Sequence, residues 1–242
     1  MNLFKFLSLA LLVLIAGSSF AKKQGSNNLT KKETKEGWIL IFDGKTTSGW
    51  RGYTKTAFPE KGWAVVDGTL RCLEKGGGGD IIFDKKLTNF ELSLSWKIAE
   101  GGNSGLFIFG KEVEGKPIYH SAPEYQLLDN ERHPDAKNGK NGNRKAGSLY
   151  DMIPADPKAS KPAGEWNTTK IVAKNGQLEF WLNNAKVVEF TMGDDNWKKM
   201  CADSKFKNWS DFVNNPAKDG YIGLQDHGNE IWFKDIKLKE LK

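Results

Sequence analysis

Histidine and cysteine are scarce in this 242-residue chain, which holds three of the first and two of the second. The histidines, at positions 120, 133 and 227, lack zinc-type spacing, and no Asp-x-Asp-x-Asp-Gly calcium loop is present. The sequence therefore requires no cofactor, while leaving room for a divalent cation should Asp129, Asp226 and His227 converge. Two cysteines do not make a disulfide framework. Cys72 and Cys201 either pair, closing a loop worth about 4–5 kcal/mol in the chain-entropy model, or lie buried as separate thiols. A nucleophilic cysteine is the least favoured reading. The 26 glycines and eight prolines follow no G-X-Y repeat, which excludes collagen and points to many turns. Gly76 to Gly79 lack the following Lys-Ser/Thr of a phosphate loop and precede a strand, so they read as a flexible or tightly packed turn.

Long apolar runs are missing after the N-terminus, so nothing downstream can span a bilayer. The one such run, Phe6 to Ala16, follows Lys5 and ends in Gly17-Ser18-Ser19-Phe20-Ala21, with small residues at 19 and 21. That is the pattern of a cleaved export signal over 1–21. It predicts a periplasmic or secreted bacterial protein with no membrane span. Cleavage removes one lysine and no acid, taking the formal charge from +6 to +5. The lysines are dispersed among Asp and Glu, so no nucleic-acid partner is expected. Residues 22–36 read as a solvated polar linker, and 37–242 as a single domain.

Nine Trp and fourteen Phe guarantee a packed core. Phe90, Leu92, Leu94, Trp96 and Ile98 alternate with Glu91, Ser93, Ser95 and Lys97, the period of a half-buried strand. Leu178, Phe180 and Leu182 repeat the pattern after Asn175-Gly176 and before Asn183-Asn184, giving a meander. Further strands are predicted at 38–42, 62–66, 69–73, 80–83, 104–109, 124–128, 166–173, 185–190, 221–224 and 231–238. Short strands separated by glycine-rich turns predict an all-β sandwich or jelly roll of two antiparallel sheets. Trp197, Met200 and Cys201 at helical spacing add a short helix within 194–213. The Asn-, Gly- and Lys-rich stretch 130–164 is a long loop, functional or mobile.

The segment Ala122-Pro123-Glu124-Tyr125-Gln126-Leu127-Leu128-Asp129 carries the strongest chemical signal. In a strand, Glu124 and Gln126 share a face and Asp129 lies beyond its end. Sandwich glucanases place two carboxylates at such alternate positions, and here the second is an amide, which cannot act as nucleophile. His227, in the turn Gln225-Asp226-His227-Gly228, is an accessible imidazole suited to general acid or base work, or a turn cap. Asn103 and the pair Trp166-Asn167 suit sugar hydroxyls and ring faces, although a lone Trp is more often core.

These segments resemble, in order, the 3-keto-disaccharide hydrolase domain family. The matching pieces are Leu40-Ile41-Phe42-Asp43-Gly44 with Gly49-Trp50, Asp67-Gly68-Thr69-Leu70, Asn89-Phe90-Glu91-Leu92, Asn103-Ser104-Gly105-Leu106 and Glu124 through Asp129. They continue with Gly147-Ser148-Leu149-Tyr150, Gly164-Glu165-Trp166-Asn167, Trp181-Leu182-Asn183, Gly220 through Gly228, and Phe233 through Ile236. Asn184 replaces a usual hairpin glycine. Lys234-Asp235 stands where Arg-Asn is usual, keeping the charge but not the planar fork.

The resemblance implies a concanavalin-like jelly roll and cleavage of glycosides already oxidised to a ketone at C3. The ketone acidifies the C2 hydrogen, so one base, one acid and an enolate-stabilising donor suffice for elimination, with water able to add afterwards. On this reading His227 or Glu124 is the base, with the other group or Asp129 assisting departure and His120 a reserve acid. Gln126, Asn103, Tyr150, Trp166, Asn167, Gln225, Asp226 and Lys234 are expected to bind substrate. The competing readings are a non-catalytic sugar-binding lectin and a conventional glycosidase.

Overall fold

The computed structural model describes residues 26–242. The expected export signal at 1–21 lies outside them. In chain order the strands are β1 (Ile39–Leu40), β2 (Trp50–Gly52), β3 (Trp63–Val66), β4 (Thr69–Cys72), β5 (Ile81–Phe83), β6 (Phe90–Ile98) and β7 (Asn103–Gly110). There follow β8 (Glu124–Leu128), β9 (Asn167–Lys174), β10 (Gln177–Leu182), β11 (Ala185–Thr191), β12 (Tyr221–Leu224) and β13 (Ile231–Glu240). The larger sheet runs β11-β10-β9-β6-β13-β4-β3 with β1 also on β13, and the smaller runs β2-β5-β12-β7-β8. All pairings are antiparallel, which gives the expected jelly-roll sandwich.

The alternation read in β6 is the alternation observed, with every second residue buried. Its apolar face meets Leu106 and Ile108 of β7, Tyr125 and Leu127 of β8, and Ile222 and Leu224 of β12 in one core. Two of the aromatic polar atoms taken into that core are paired, as burial requires. Trp96 Nε1 donates to Thr169 Oγ1 at 3.0 Å, and the Tyr125 hydroxyl to the Trp181 carbonyl at 3.3 Å. The hairpins β3-β4, β9-β10 and β10-β11 turn on Asp67-Gly68, Asn175-Gly176 and Asn183-Asn184. Each pair has both φ angles positive, as type I′ turns demand. Asn184, at φ 70°, is thus a workable substitute for the usual glycine.

Two helices occupy 194–213 where one was expected. In α2 (Asp195–Ala202) the Asp194 carboxylate caps the Trp197 amide, and Trp197 and Cys201, one turn apart, are both buried. The chain then leaves the helix at Ser204, whose hydroxyl bonds the Cys201 carbonyl at 2.8 Å. In α3 (Ser210–Asn214), the Phe212 carbonyl accepts from Trp197 Nε1 at 3.1 Å. Cys72 and Cys201 are buried and unpaired, so the two-thiol reading holds. Burial pushes the Cys201 thiol up to about 12, far from thiolate chemistry.

The described part of the polar stretch before Gly37 is mostly exposed, and it is tied to the sandwich at Asn27 and Glu33. Asn27 is 9% exposed. Its amide N–H donates to Asp235 Oδ1, its Oδ1 accepts from the Asp235 amide at 2.9 Å, and its Nδ2 reaches the Gly68 carbonyl at 2.8 Å. Asp235 sits at φ 53° where β13 breaks register between Lys234 and Lys237, so Asn27 clamps a bulge. A capping box of Thr30 and Glu33 then starts α1 (Lys31–Lys35), and Lys237 pairs with Glu33 at 2.6 Å. Asn27→Ala leaves the Asp235 amide and the Gly68 carbonyl unmet, and denaturant unfolding is expected to show a loss of about 1–3 kcal/mol.

Candidate active site

The outer face of the smaller sheet is where the function-bearing side chains meet. All eight residues of β7 and all five of β8 are buried, because one side of each strand meets the core and the other lies beneath the 130–164 loop and the turn after α2. On that outer side Gly105 pairs with Gln126, and Phe107 with Glu124. A side chain on Gly105 would place its Cβ on top of the Glu124 carboxyl. The glycine therefore makes the space in which Glu124 lies. The cleft has a volume of about 470 Å³, and its walls include Asn103, Gln126, Tyr150, Gln225, His133, Asp135, Lys205 and His227.

Glu124 is 7% exposed, and among the described residues its carboxyl makes no hydrogen bond. Burial pushes it up to about 8, against the pull of the Lys205 ammonium and helped by Asp80 and Asp135. Near neutral pH it holds its proton. Asp135 has the opposite fate. Burial opposes its ionisation, but the Tyr150 hydroxyl at 2.7 Å, Arg144 at 2.9 Å and Asn138 at 3.2 Å outweigh that and hold it below the ordinary carboxylate range. Lys205, solvent-exposed overall, rests its ammonium 4.1 Å from the centre of the Tyr150 ring. Loss of water lowers its pKa while Glu124 raises it, with a net downward shift.

Three amide oxygens of this cleft, Asn103 Oδ1, Gln126 Oε1 and Gln225 Oε1, are buried without a hydrogen-bond partner. Orphan acceptors inside a polar cleft are what a ligand rich in hydroxyl donors satisfies. Above them the exposed His227 imidazole places Nε2 3.5 Å from Asn103 Nδ2. The His133 ring stands edge-on to it at 6.0 Å. His133 Nδ1 accepts from the Asp135 amide at 3.1 Å, so the neutral ring carries its proton on Nε2.

The structure brings together Glu124, Gln126, Asn103, Tyr150, Gln225 and His227, and it separates the other expected site residues. Asp129 is consumed as a turn acceptor for the amides of Gly101, Glu131 and Arg132. Burial works against its charge, but those N–H groups and Arg132 hold it below the usual range, which does not suit an acid catalyst. Asp226 turns to the opposite side and accepts from the amides of Gly78, Gly79 and Gly228. The four-glycine run is therefore a tightly packed turn, since a Cβ at Gly76 would overlap the Asp226 carboxylate. Asn167 is wholly buried in a loop-organising cluster with Asn183 Nδ2 at 2.8 Å.

His120 stacks on Trp209 at 4.1 Å and lines a separate cavity of about 520 Å³. Trp166 and Lys234 lie on the outer face of the other sheet. Lys234 covers the Trp166 ring at 4.2 Å, beside a cross-strand row in which Lys97 and Arg71 flank Trp232. The cleft also uses Lys205, Asp135 and Tyr119, which the sequence reading did not single out. Asp135 and Lys205 come from irregular segments with no periodicity to place them. Among the described residues no group of three or more His, Cys, Asp or Glu is placed to hold a metal ion.

Comparison with known proteins gives the same picture from another direction. Residues 37–239 match the model of a 3-keto-alpha-glucoside-1,2-lyase-like domain. A 3-keto-disaccharide hydrolase of Bacteroides thetaiotaomicron is 42% identical over 95% of this chain and 87% of its own length. The fold is similar to the crystal structure of a candidate glycosyl hydrolase from Parabacteroides distasonis, at a TM-score of 0.81 and 32% identity. The match covers 90% of this chain and 100% of that one. A second structure from that organism gives 0.70 and 27%, over 84% and 99%.

Burying a neutral Glu124 has a measurable cost. Its folded-state pKa of about 8 lies above the ordinary 4.5. The associated stability is therefore complete below about 4.5, where both states are protonated, and declines as pH rises through 8. Glu124→Gln keeps the shape and removes the titration. Its melting temperature is expected to match the wild type near pH 4 and exceed it progressively up to pH 9, by the equivalent of a few kcal/mol.

Proposed function

The chain belongs to the 3-keto-alpha-glucoside-1,2-lyase-like domain family, and on that premise we propose that it cleaves 3-keto-disaccharides by proton abstraction and elimination. The observation that carries this reading is the Glu124 carboxyl, 7% exposed beneath Gly105 and set among unpartnered amide acceptors and an accessible imidazole.

His227 takes the proton from C2 of the oxidised ring, as an imidazole at a cleft mouth is suited to do. The electron pair moves into the C2–C3 bond and onto the ketone oxygen. There the Lys205 ammonium and the His133 Nε2–H supply positive charge and a donor, in surroundings where such contacts act strongly. The enolate then collapses to the enone as the C1–oxygen bond breaks, and Glu124 gives its proton to the departing oxygen. Water adding to C1 returns a proton to the Glu124 carboxylate, while the imidazolium returns its own to C2. The sum of the two halves is hydrolysis, and release of the enone before water adds makes the same site a lyase. Asn103, Gln126 and Gln225 accept from hydroxyls that fix the ring. The export signal read at residues 1–21 would put this reaction in the periplasm or outside the cell.

Matched disaccharides, native and oxidised at C3, test the reading through enone absorbance and released sugar. Only the oxidised members are expected to react. The rate is expected to fall as pH rises through about 8, where Glu124 loses the proton it must donate. Glu124→Gln and His227→Ala should each retain binding and lose roughly 10²- to 10⁴-fold in turnover. Binding without turnover in the wild type would make the protein a lectin, and a rate that rises through pH 8 would exchange the two roles.

A further inference from the structure

The smaller sheet carries a second carboxyl that the chemistry above does not use. Asp80 immediately precedes β5, in which Ile81 enters the sandwich core while Ile82 packs on the outer face with Phe107. Side chains alternate along a strand, so Asp80 faces the same side as Ile82 and the cleft. The register Gly223↔Ile82 and Leu224↔Ile81, carried one residue further, sets Gln225 opposite Asp80. A hydrogen bond from the Asp226 amide to Asp80 Oδ1 at 3.0 Å locks that pairing. On the other side the Gln225 amide donates to the Gly105 carbonyl at 2.9 Å, and Gly105 pairs with Gln126. One row across four strands thus reads Asp80, Gln225, Gly105, Gln126.

The row has the dimensions and the chemistry of an extended sugar site. Neighbouring strands lie roughly 4.8 Å apart, which puts Asp80 about 10 Å from Gly105, over which Glu124 leans. That separation lets one ring lie at Glu124 while the next, beyond the glycosidic link, reaches Asp80. Between and beyond them, Gln225 Oε1 and Gln126 Oε1 are both buried without partners, and Gln126 itself is 0% exposed. Asp80 Oδ1 is engaged by the Asp226 amide, and among the described residues no cation pairs with this carboxyl. Its other oxygen has acceptor capacity left for hydroxyl donors.

Resting on the reading of the cleft as a glycoside-cleaving site, we propose that this row is a two-ring subsite in which the Asp80 carboxylate accepts hydroxyls of the second sugar. That makes Asp80 the residue that selects disaccharides over glycosides with a small aglycone. Burial pushes its acidity constant to about 6, with the Asp226 amide opposing and the Asp226 charge adding, so at neutral pH it is mostly ionised. Charge-assisted bonds to hydroxyls are the stronger kind.

The test compares a 3-keto-disaccharide with the 3-keto methyl glucoside that has the same reacting ring. Asp80→Asn keeps a carbonyl oxygen for the Asp226 amide, so the turn that bears His227 is retained while the charge is lost. For the disaccharide kcat/KM is expected to fall roughly 10- to 100-fold, mainly through KM, whereas the methyl glucoside stays within about twofold. An equal loss on both substrates would make Asp80 only a support for the turn, and no change on either would remove it from the site. Calorimetric binding of the native disaccharide and methyl glucoside to both proteins separates this idea from the ketone chemistry. If the wild type cleaves neither oxidised substrate, the chemistry falls. The subsite then stands on a disaccharide preference that Asp80→Asn abolishes, and fails if that preference is absent or survives.

Discussion

A carboxyl largely withdrawn from water, with no hydrogen bond among the described residues, is the constraint around which this cleft is arranged. Such a group survives only uncharged, and the fold must supply both the space and the dryness. Gly105 supplies the space, because any side chain there would occupy the volume of the Glu124 carboxyl. The dryness comes from Tyr125 and Leu127 on the far side of the strand and from the 130–164 loop above it. The register of β7 against β8, with Gly105 opposite Gln126 and Phe107 opposite Glu124, brings the glycine and the acid together.

The loop above the cleft is organised by charge. Arg144 bridges Asp135 at 2.9 Å and Asp151 at 2.7 Å, and Asp151 Oδ2 accepts the Lys205 amide at 2.8 Å. One guanidinium therefore ties the loop that carries His133 and Asp135 to the turn that delivers Lys205. Its partners leave Asp135 ionised while Glu124, a few residues away in space, is neutral. Two carboxyls in one cleft with opposite protonation is the usual sign of divided chemical labour. Here Asp135 is a structural anion, and the neutral Glu124 has the protonation state that the proposed donor role calls for.

The sheets were legible in the sequence because their periodicity is enforced along whole strands. The spans of β6, β8 and β12 were readable to the residue, and in β6 apolar and polar positions alternate without interruption. Glu124 and Gln126 followed from strand parity, because a face once assigned assigns every second residue, whereas Asn103 was read from residue type alone. The rule fails where chain direction is set by hydrogen bonds rather than burial. Asp129 and Asp226 looked like site residues by proximity in sequence, yet each is spent on three backbone amides. Trp166 and Lys234 looked like sugar ligands by residue type, but face parity puts them on the outer side of the other sheet, where lysine caps the ring. Lys205 and Asp135 had no periodic signal at all, being placed by Arg144, which binds Asp135 directly and holds Asp151, the acceptor of the Lys205 amide.

The same forces that make the cleft reactive make it expensive to maintain. A carboxyl with its pKa near 8, a lysine lowered by loss of water and three unpartnered amide oxygens are each unfavourable in the empty protein. The rest of the sandwich offsets that cost with a continuous core and satisfied turns, including the Asn27 clamp on the β13 bulge. A ligand that donates hydroxyls to the orphan oxygens relieves the penalty those acceptors carry. Affinity in such a site comes partly from strain already present before binding. A carboxyl that is uncomfortable when ionised regains its proton readily, which suits the proton-donor role proposed for Glu124.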